Sequence, residues 1–259
     1  MHYPSQLISL ESRNQAYRES LENPEEFWAN VANDFTWKRK WDRVLDWNFE
    51  EPNVRWFDGA QLNITENCLD RHLPERGDEI ALIWESNSPN EESKKYTYTE
   101  LHEAVCVFAE VLRKGNIKKG DRVCIYMGMV PELAIAVLAC ARVGAIHSVI
   151  FGGFSAHSVA DRVNDAQASA IITCDGAYRG AKDIQLKSII DEALEHCSSV
   201  KTVWVYERTD IEITLTEGRD ILWKQAIADV NIAEALISPA ETMEAEDPLI
   251  ILYTSGSTG

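Results

Sequence analysis

The chain has 259 residues, 45% of them apolar, enough for one large core or two modest ones. With 42 acidic residues against 25 basic ones, its formal net charge is -17; a field of that sign repels nucleic-acid phosphates and anionic lipid headgroups, so neither is an expected partner. The longest fully apolar run, Leu133 to Ala141, is too short to span a bilayer, and the stretch from Met1 to Gln6 has no basic segment followed by an apolar core, so a cytoplasmic protein is expected.

In chain order, Asn23-Pro24-Glu25-Glu26 reads as a helix start, with proline at the first helical position and acids at the positive dipole end. Trp37, Trp41, Trp47, Trp56 and Phe57 follow among charged residues with few aliphatic runs, the composition of a segment that wraps across another surface. Asn63 to His72 reads as a short helix ended by Pro74 and Gly77.

From Glu79 onward the chain alternates. Strands are expected at Ile80–Trp84, Val123–Met127, Ile146–Phe151, Ala170–Cys174 and Val203–Tyr206. Helices are expected from Thr99 to Gly115, from Pro131 to Gly144, after Ser155, and from Lys182 to His196. A last apolar, β-branched run, Leu249 to Tyr253, reads as a buried strand. Alternation of this kind predicts an α/β fold, a mostly parallel sheet flanked by helices, with ligands bound at the carboxyl ends of the strands. Two regions are expected: an aromatic-rich extension over 1–75 and the first α/β part of a larger domain over 76–259.

Three loops at those carboxyl ends carry unusual chemistry. Thr254-Ser255-Gly256-Ser257-Thr258-Gly259 combines hydroxyl donors with glycines whose amides can turn toward an anion; the same composition also occurs in flexible linkers. A P-loop kinase is not expected, since the Lys-Ser/Thr pair that a P-loop needs after its last glycine is not seen here. Arg179 and Lys182, read near a helix start with Lys187 one turn on, form either a phosphate site or a solvated basic turn. Gly152-Gly153-Phe154 suits either close approach of a slender ligand or tight strand-to-helix packing. The six cysteines and six histidines show no metal-ligand spacing, and no Gly-x-Ser-x-Gly elbow is present.

The ordered stretches Trp56-Phe57, Asn67 to His72, Gly120-Asp121-Arg122-Val123, Leu138 to Ala145, His147 to Ser155 and Tyr253 to Gly259 together resemble the acetyl-CoA synthetases. These belong to the acyl-adenylate-forming, AMP-binding superfamily, and the resemblance runs from about Asn23 to the last residue. It implies ligation of acetate to CoA through an acetyl-adenylate, with acetate, ATP and CoA as small-molecule substrates and Mg2+ accompanying ATP at a site outside this chain. By the same resemblance Thr254, Ser255, Gly256, Ser257, Thr258 and Gly259 bind the ATP phosphates, and Arg179, Gly180, Ala181, Lys182, Gly152 and Gly153 bind CoA.

Lys182 stands where the family commonly has a second arginine, which keeps charge but loses a bidentate fork, and Ala60 replaces a usual glycine. The acyl pocket, the adenine and ribose contacts and the catalytic lysine of the family fall beyond Gly259, so no catalytic residue is expected within this chain. The chain is expected to be an incomplete fragment that cannot form acetyl-adenylate alone. A propionyl-CoA synthetase fragment and a non-catalytic CoA- or nucleotide-binding module are the rival readings.

Overall fold

The computed structural model describes residues 7–87, 91–180, 182–209 and 211–254. Its contacts divide the chain into two compact units, Met1–Leu62 with Thr242–Asp247, and Asn63–Glu241 with Pro248–Gly259.

The first unit opens with α1 (Leu10–Glu22), started by a reciprocal cap in which Ser9 and Ser12 each accept the other's backbone amide at 3.1 Å. Helix α2 (Pro24–Ala32) begins at the expected proline. A hairpin of β1 (Arg43–Asn48) and β2 (Asn53–Asp58) follows, its turn nucleated by Asn48 Oδ1, which accepts the Glu50 amide at 2.9 Å. The two-residue strand β3 (Gln61–Leu62) completes this stretch. The aromatic residues, read as draping over another surface, pack substantially on one another: Trp28 stands edge-on to Trp56, and Trp37, Trp41 and Phe57 form a ring cluster with centroids 5.2–5.5 Å apart.

The second unit begins with α3 (Ile64–Cys68), capped by Asn63, then a 3-10 turn at Asp70–His72 and α4 (Leu73–Arg76). Strands β4 (Ile80–Trp84) and β5 (Lys94–Thr97) pair antiparallel apart from the main sheet. Helix α5 (Tyr98–Lys114) is capped two residues earlier than the expected Thr99. The cap is Thr97, because a capping box needs an acid three residues on; Thr97 has Glu100 there, whereas Thr99 would have His102.

The main sheet is wholly parallel. Its strands are β6 (Arg122–Tyr126), β7 (Ile146–Val149), β8 (Ala170–Cys174), β11 (Thr202–Tyr206) and β12 (Asp220–Leu222), in the order β12-β11-β8-β6-β7. Between β6 and β7 runs α6 (Pro131–Arg142), and between β7 and β8 runs α7 (Ala156–Ala166). The hairpin β9 (Ala177–Arg179) and β10 (Lys182–Ile184) precedes α8 (Leu186–Leu194), which leads to β11. Because β6 to β7 steps one way along the sheet and β7 to β8 to β11 steps the other, right-handed crossovers place α6 on one face and α7 and α8 on the opposite face. Helix α5 packs with α6, and α7 with α8. The second unit continues with α9 (Trp223–Ala228) and α10 (Ile232–Ile237); β13 (Met243–Glu244), which belongs to the first unit, pairs antiparallel with β3 there.

The core lies within this sheet and its helices: β6 and β8 are almost wholly buried, and Trp204 of β11 is 1% exposed. Gly115 ends α5 directly against the Trp204 ring, so close that a Cβ could not fit. Two expected elements differ. The helix expected from Lys182 starts only at Leu186, since its apolar spacing (Leu186, Ile189, Ile190, Ala193, Leu194) begins there. Leu249–Tyr253 forms a single parallel bridge, Ile250 to His147, rather than a strand. It runs along the outer edge of β7 with Leu249 and Ile250 each 41% exposed, so it lacks the two-sided cover of a buried parallel strand.

Candidate functional site

The carboxyl ends of β6, β7 and β8 send their chains to opposite faces. At such a switch point an open α/β sheet leaves a crevice. The loops around it are pinned by buried polar contacts. Thr173 Oγ1 donates to the Tyr126 carbonyl at 2.8 Å, and the Tyr126 hydroxyl donates to the Phe154 carbonyl at 2.8 Å, tying β8 to β6 and β6 to the glycine loop. Burial pushes that hydroxyl up to about 12, which keeps it a donor. Asp175, 1% exposed, accepts the amides of Gly176 (2.6 Å), Arg208 (2.8 Å) and Thr209 (2.9 Å), locking the loop after β8 to the loop after β11. A carboxylate with several backbone donors holds such a corner without a counter-cation.

Onto this frame the fold brings the glycine pair and the expected basic residue together. The Arg179 guanidinium carbon lies 5.7 Å from the Phe151 ring centre. A Cβ built on Gly153 would sit 2.9 Å from Arg179 Nη1 and 2.6 Å from Phe151 Cε1, so any side chain there would crowd the guanidinium. Gly152 faces the Met127 carbonyl, 3.1 Å from where its Cβ would be. Phe151 and Phe154 meet edge to face at 5.7 Å, with Phe151 60% exposed.

Arg179 does not sit at a helix N-terminus. It closes β9 before a hairpin turn in which Gly180 has a φ of +61°, and the backbone of Lys182 opens β10 across from it. Ala181 lies outside the described residues. Lys187 does not join the basic patch: it is 1% exposed and bonded to Asp191 and Asp220. At the chain's last motif Tyr253 is anchored, its hydroxyl donating to Asp165 Oδ2 at 2.8 Å and its ring 5.1 Å from the Arg162 guanidinium. Thr254 follows it; Ser255, Gly256, Ser257, Thr258 and Gly259 lie outside the described residues.

The crevice itself holds a cavity of about 270 Å³ whose walls include Gly128, Met129, Tyr178 and Arg208. Arg208 lies 5.0 Å from the Tyr178 ring and 5.3 Å from the Trp84 ring, and pairs with Glu91 at 2.5 Å. None of these residues stood out in the sequence. A signal was present in the aromatic side chains of Trp84 and Tyr178, but Arg208 meets them only in the folded chain. Among the described residues, no group of three or more His, Cys, Asp or Glu side chains could hold a metal ion, and no helix is long and apolar enough to cross a membrane.

Against known families, residues 69–259 match the model of the AMP-binding enzymes. The chain belongs to that family. Residues 13–68 match a second model, the acetyl-coenzyme A synthetase N-terminus. An acetyl-coenzyme A synthetase of Alkalilimnicola ehrlichii is 49% identical over 253 residues, covering 97% of this chain and 38% of the relative. One of Magnetococcus marinus is 47% identical over 254 residues, covering 98% of this chain and 39% of the relative. The chain thus spans less than two fifths of the length of these curated relatives. The acetoacetyl-CoA synthetase from Streptomyces lividans superposes with a TM-score of 0.81 at 28% identity, over 92% of this chain and 35% of that one. Its likeness matches the α/β reading, a parallel sheet flanked by helices.

Proposed function

We propose that this chain forms the coenzyme- and phosphate-handling part of an ATP-dependent acetate–CoA ligase. A carboxylate is a poor electrophile. In the proposed reaction acetate attacks the α-phosphate of ATP, releasing pyrophosphate, and the CoA thiol then displaces AMP from the acetyl-adenylate. Positioning and electrostatic stabilisation of phosphate charge carry most of such catalysis.

Residues of this chain would serve the ends of the substrates. Thr254 to Gly259 would bind the ATP phosphates. Arg179 would meet a phosphate at the nucleotide end of CoA, with Gly180, Ala181 and Lys182 completing that turn, while Gly152 and Gly153 would leave a side-chain-free track for the pantetheine. The single observation behind this reading is the exposed Arg179 guanidinium beside Gly153 at the carboxyl end of the sheet, where a bare backbone and a cation adjoin. Mg2+ would arrive on ATP; the described residues offer no ligand cluster for it. We place the activity in the cytoplasm, with no nucleic-acid partner, in keeping with the net charge of -17. The division into an extension over 1–75 and an α/β part over 76–259 belongs to the same proposal.

Calorimetric titration of CoA into the chain tests it. CoA is expected to bind, and Arg179→Ala to weaken it about tenfold or more, the value of one charge-assisted contact. Equal affinity in the two proteins would remove CoA from this loop.

A further inference from the structure

Helix α6 opens with Val130-Pro131-Glu132, and an acid at that position ordinarily points into solvent, where it complements the helix dipole. Here Glu132 is 8% exposed. Burial, followed by the Glu132 charge, pushes the neighbouring Tyr206 hydroxyl well above its usual range. One carboxylate oxygen of Glu132, Oε2, is buried with no hydrogen-bond partner. Buried carboxylates are nearly always paired, and an orphaned one is costly.

Glu132 lines a cavity of about 580 Å³, within the usual size of small-molecule sites. Its other walls are mainly apolar and include Tyr96, Val107, Trp223 and Ile227. The Trp223 wall is rigid: its ring stacks on Phe108 at 3.7 Å and 11° and meets Tyr206 edge to face at 5.9 Å. At the lining's exposed positions stand two more carboxylates, Glu100 and Glu103, against one cation, Lys224. The cavity therefore offers apolar walls, aromatic surface and a net negative lining.

We propose that this cavity binds a small organic amine with an apolar body, its ammonium pairing with the Glu132 carboxylate and its hydrocarbon or aromatic part packing on Trp223 and the aliphatic wall. The ammonium supplies the counter-charge that the Glu132 carboxylate lacks, and Tyr96 adds an aromatic neighbour for the cation. An anion would meet three carboxylates, and a neutral ligand would leave Glu132 uncompensated. The site stands apart from the coenzyme reading and does not depend on it.

The test compares 2-phenylethylamine with its neutral isostere 2-phenylethanol by calorimetry on the 259-residue chain, with circular dichroism to verify the fold of each variant. The amine is expected to bind about tenfold tighter or better, as one charge-assisted contact allows. Glu132→Gln should lower the amine to the alcohol's affinity. Ala228→Phe, which fills the cavity from an exposed helical position, should weaken both ligands. If Glu132→Gln does not fold, the amine–alcohol contrast and the Ala228→Phe loss decide alone. Equal binding of amine and alcohol, an unchanged amine affinity in folded Glu132→Gln, or no binding of either probe at millimolar concentration would overturn the proposal.

Discussion

Arg179 and Lys187 stand in one short stretch of sequence and in opposite circumstances. Lys187 is 1% exposed, and its Nζ is consumed by Asp191 at 2.7 Å, Asp220 at 2.9 Å and the Thr214 carbonyl at 3.0 Å. Arg219 joins the same acids, at 2.5 Å to Asp191 and 2.6 Å to Asp220. Arg179 is exposed, has no ion pair among the described residues and lies against an aromatic ring. In a chain with so large an acidic excess, cations such as Lys187, Arg208 and Arg219 are neutralised by neighbouring carboxylates. A cation left beside a ring and bare glycine backbone keeps its charge for an incoming anion. The comparison separates a structural post from a candidate ligand-binding group, although both are basic residues in one apparent patch.

The sharpest way to break this contrast is Lys187→Met. It leaves Asp220, whose side chain is shut off from solvent, with Arg219 and the Thr216 amide as its remaining partners. Removing one member of a buried ion network costs about 3 kcal/mol or more. Urea unfolding should show that loss, and calorimetry on the folded fraction should show CoA binding unchanged. A loss below about 1 kcal/mol would mean that the post is dispensable.

A second buried network sharpens the same point and adds a pH signature. Asp70 receives both terminal nitrogens of Arg142, at 2.9 and 3.0 Å, and faces His102 Nε2 at 3.4 Å. Burial alone would raise Asp70, but the hydrogen bonds from His102 and Arg142 outweigh it and hold the carboxyl at about 2. The hydrogen bond to Asp70, followed by that to Cys106, raises His102 to about 9. The imidazolium therefore contributes stability fully below its unfolded value near 6.5, and that contribution fades as pH rises through about 9. Asp70 stays ionised throughout that window. Its own contribution is present above the unfolded carboxylate value and is lost as pH falls through about 2. The stability gap between the native chain and His102→Gln should be about 1–2 kcal/mol at pH 6 and close to zero by pH 10. A gap that is flat with pH would remove the charged pair from the account.

Much of this architecture was legible in the residues themselves. Strands such as Ala170–Cys174 are unbroken apolar runs, and Pro131 and Ser155 mark their helix starts correctly. The β1–β2 hairpin escaped notice because its strands mix charged residues with aromatics and its turn signals, Asn48 and Pro52, are set apart by an acidic stretch with no glycine. The β9–β10 hairpin escaped because a basic turn before an apolar periodicity resembles a helix N-terminus; only the start of the period at Leu186 distinguishes them. For the candidate site, the glycines and Arg179 could be read as separate elements. That Gly153 lies against Arg179, and that Glu132 is buried with one oxygen unpaired, are consequences of strand order and helix face, which no local pattern encodes.

The finest break in the comparison concerns Arg179 and Gly153 themselves. Arg179→Ala should leave stability within about 0.5 kcal/mol, as for exposed positions generally, while weakening CoA. Gly153→Ala adds a methyl group that meets Phe151 Cε1 and Arg179 Nη1, the far ends of two exposed side chains. Both can swing away, so the cost to folding should stay below about 1 kcal/mol, measured by urea unfolding. If the glycine matters because it gives the guanidinium its place, CoA affinity should fall severalfold in Gly153→Ala, and the double variant should be no weaker than Arg179→Ala alone, since the displaced group is already gone. Additive losses in that cycle would mean that Gly153 acts on the ligand directly, as a bare stretch of backbone under the pantetheine, and not through Arg179.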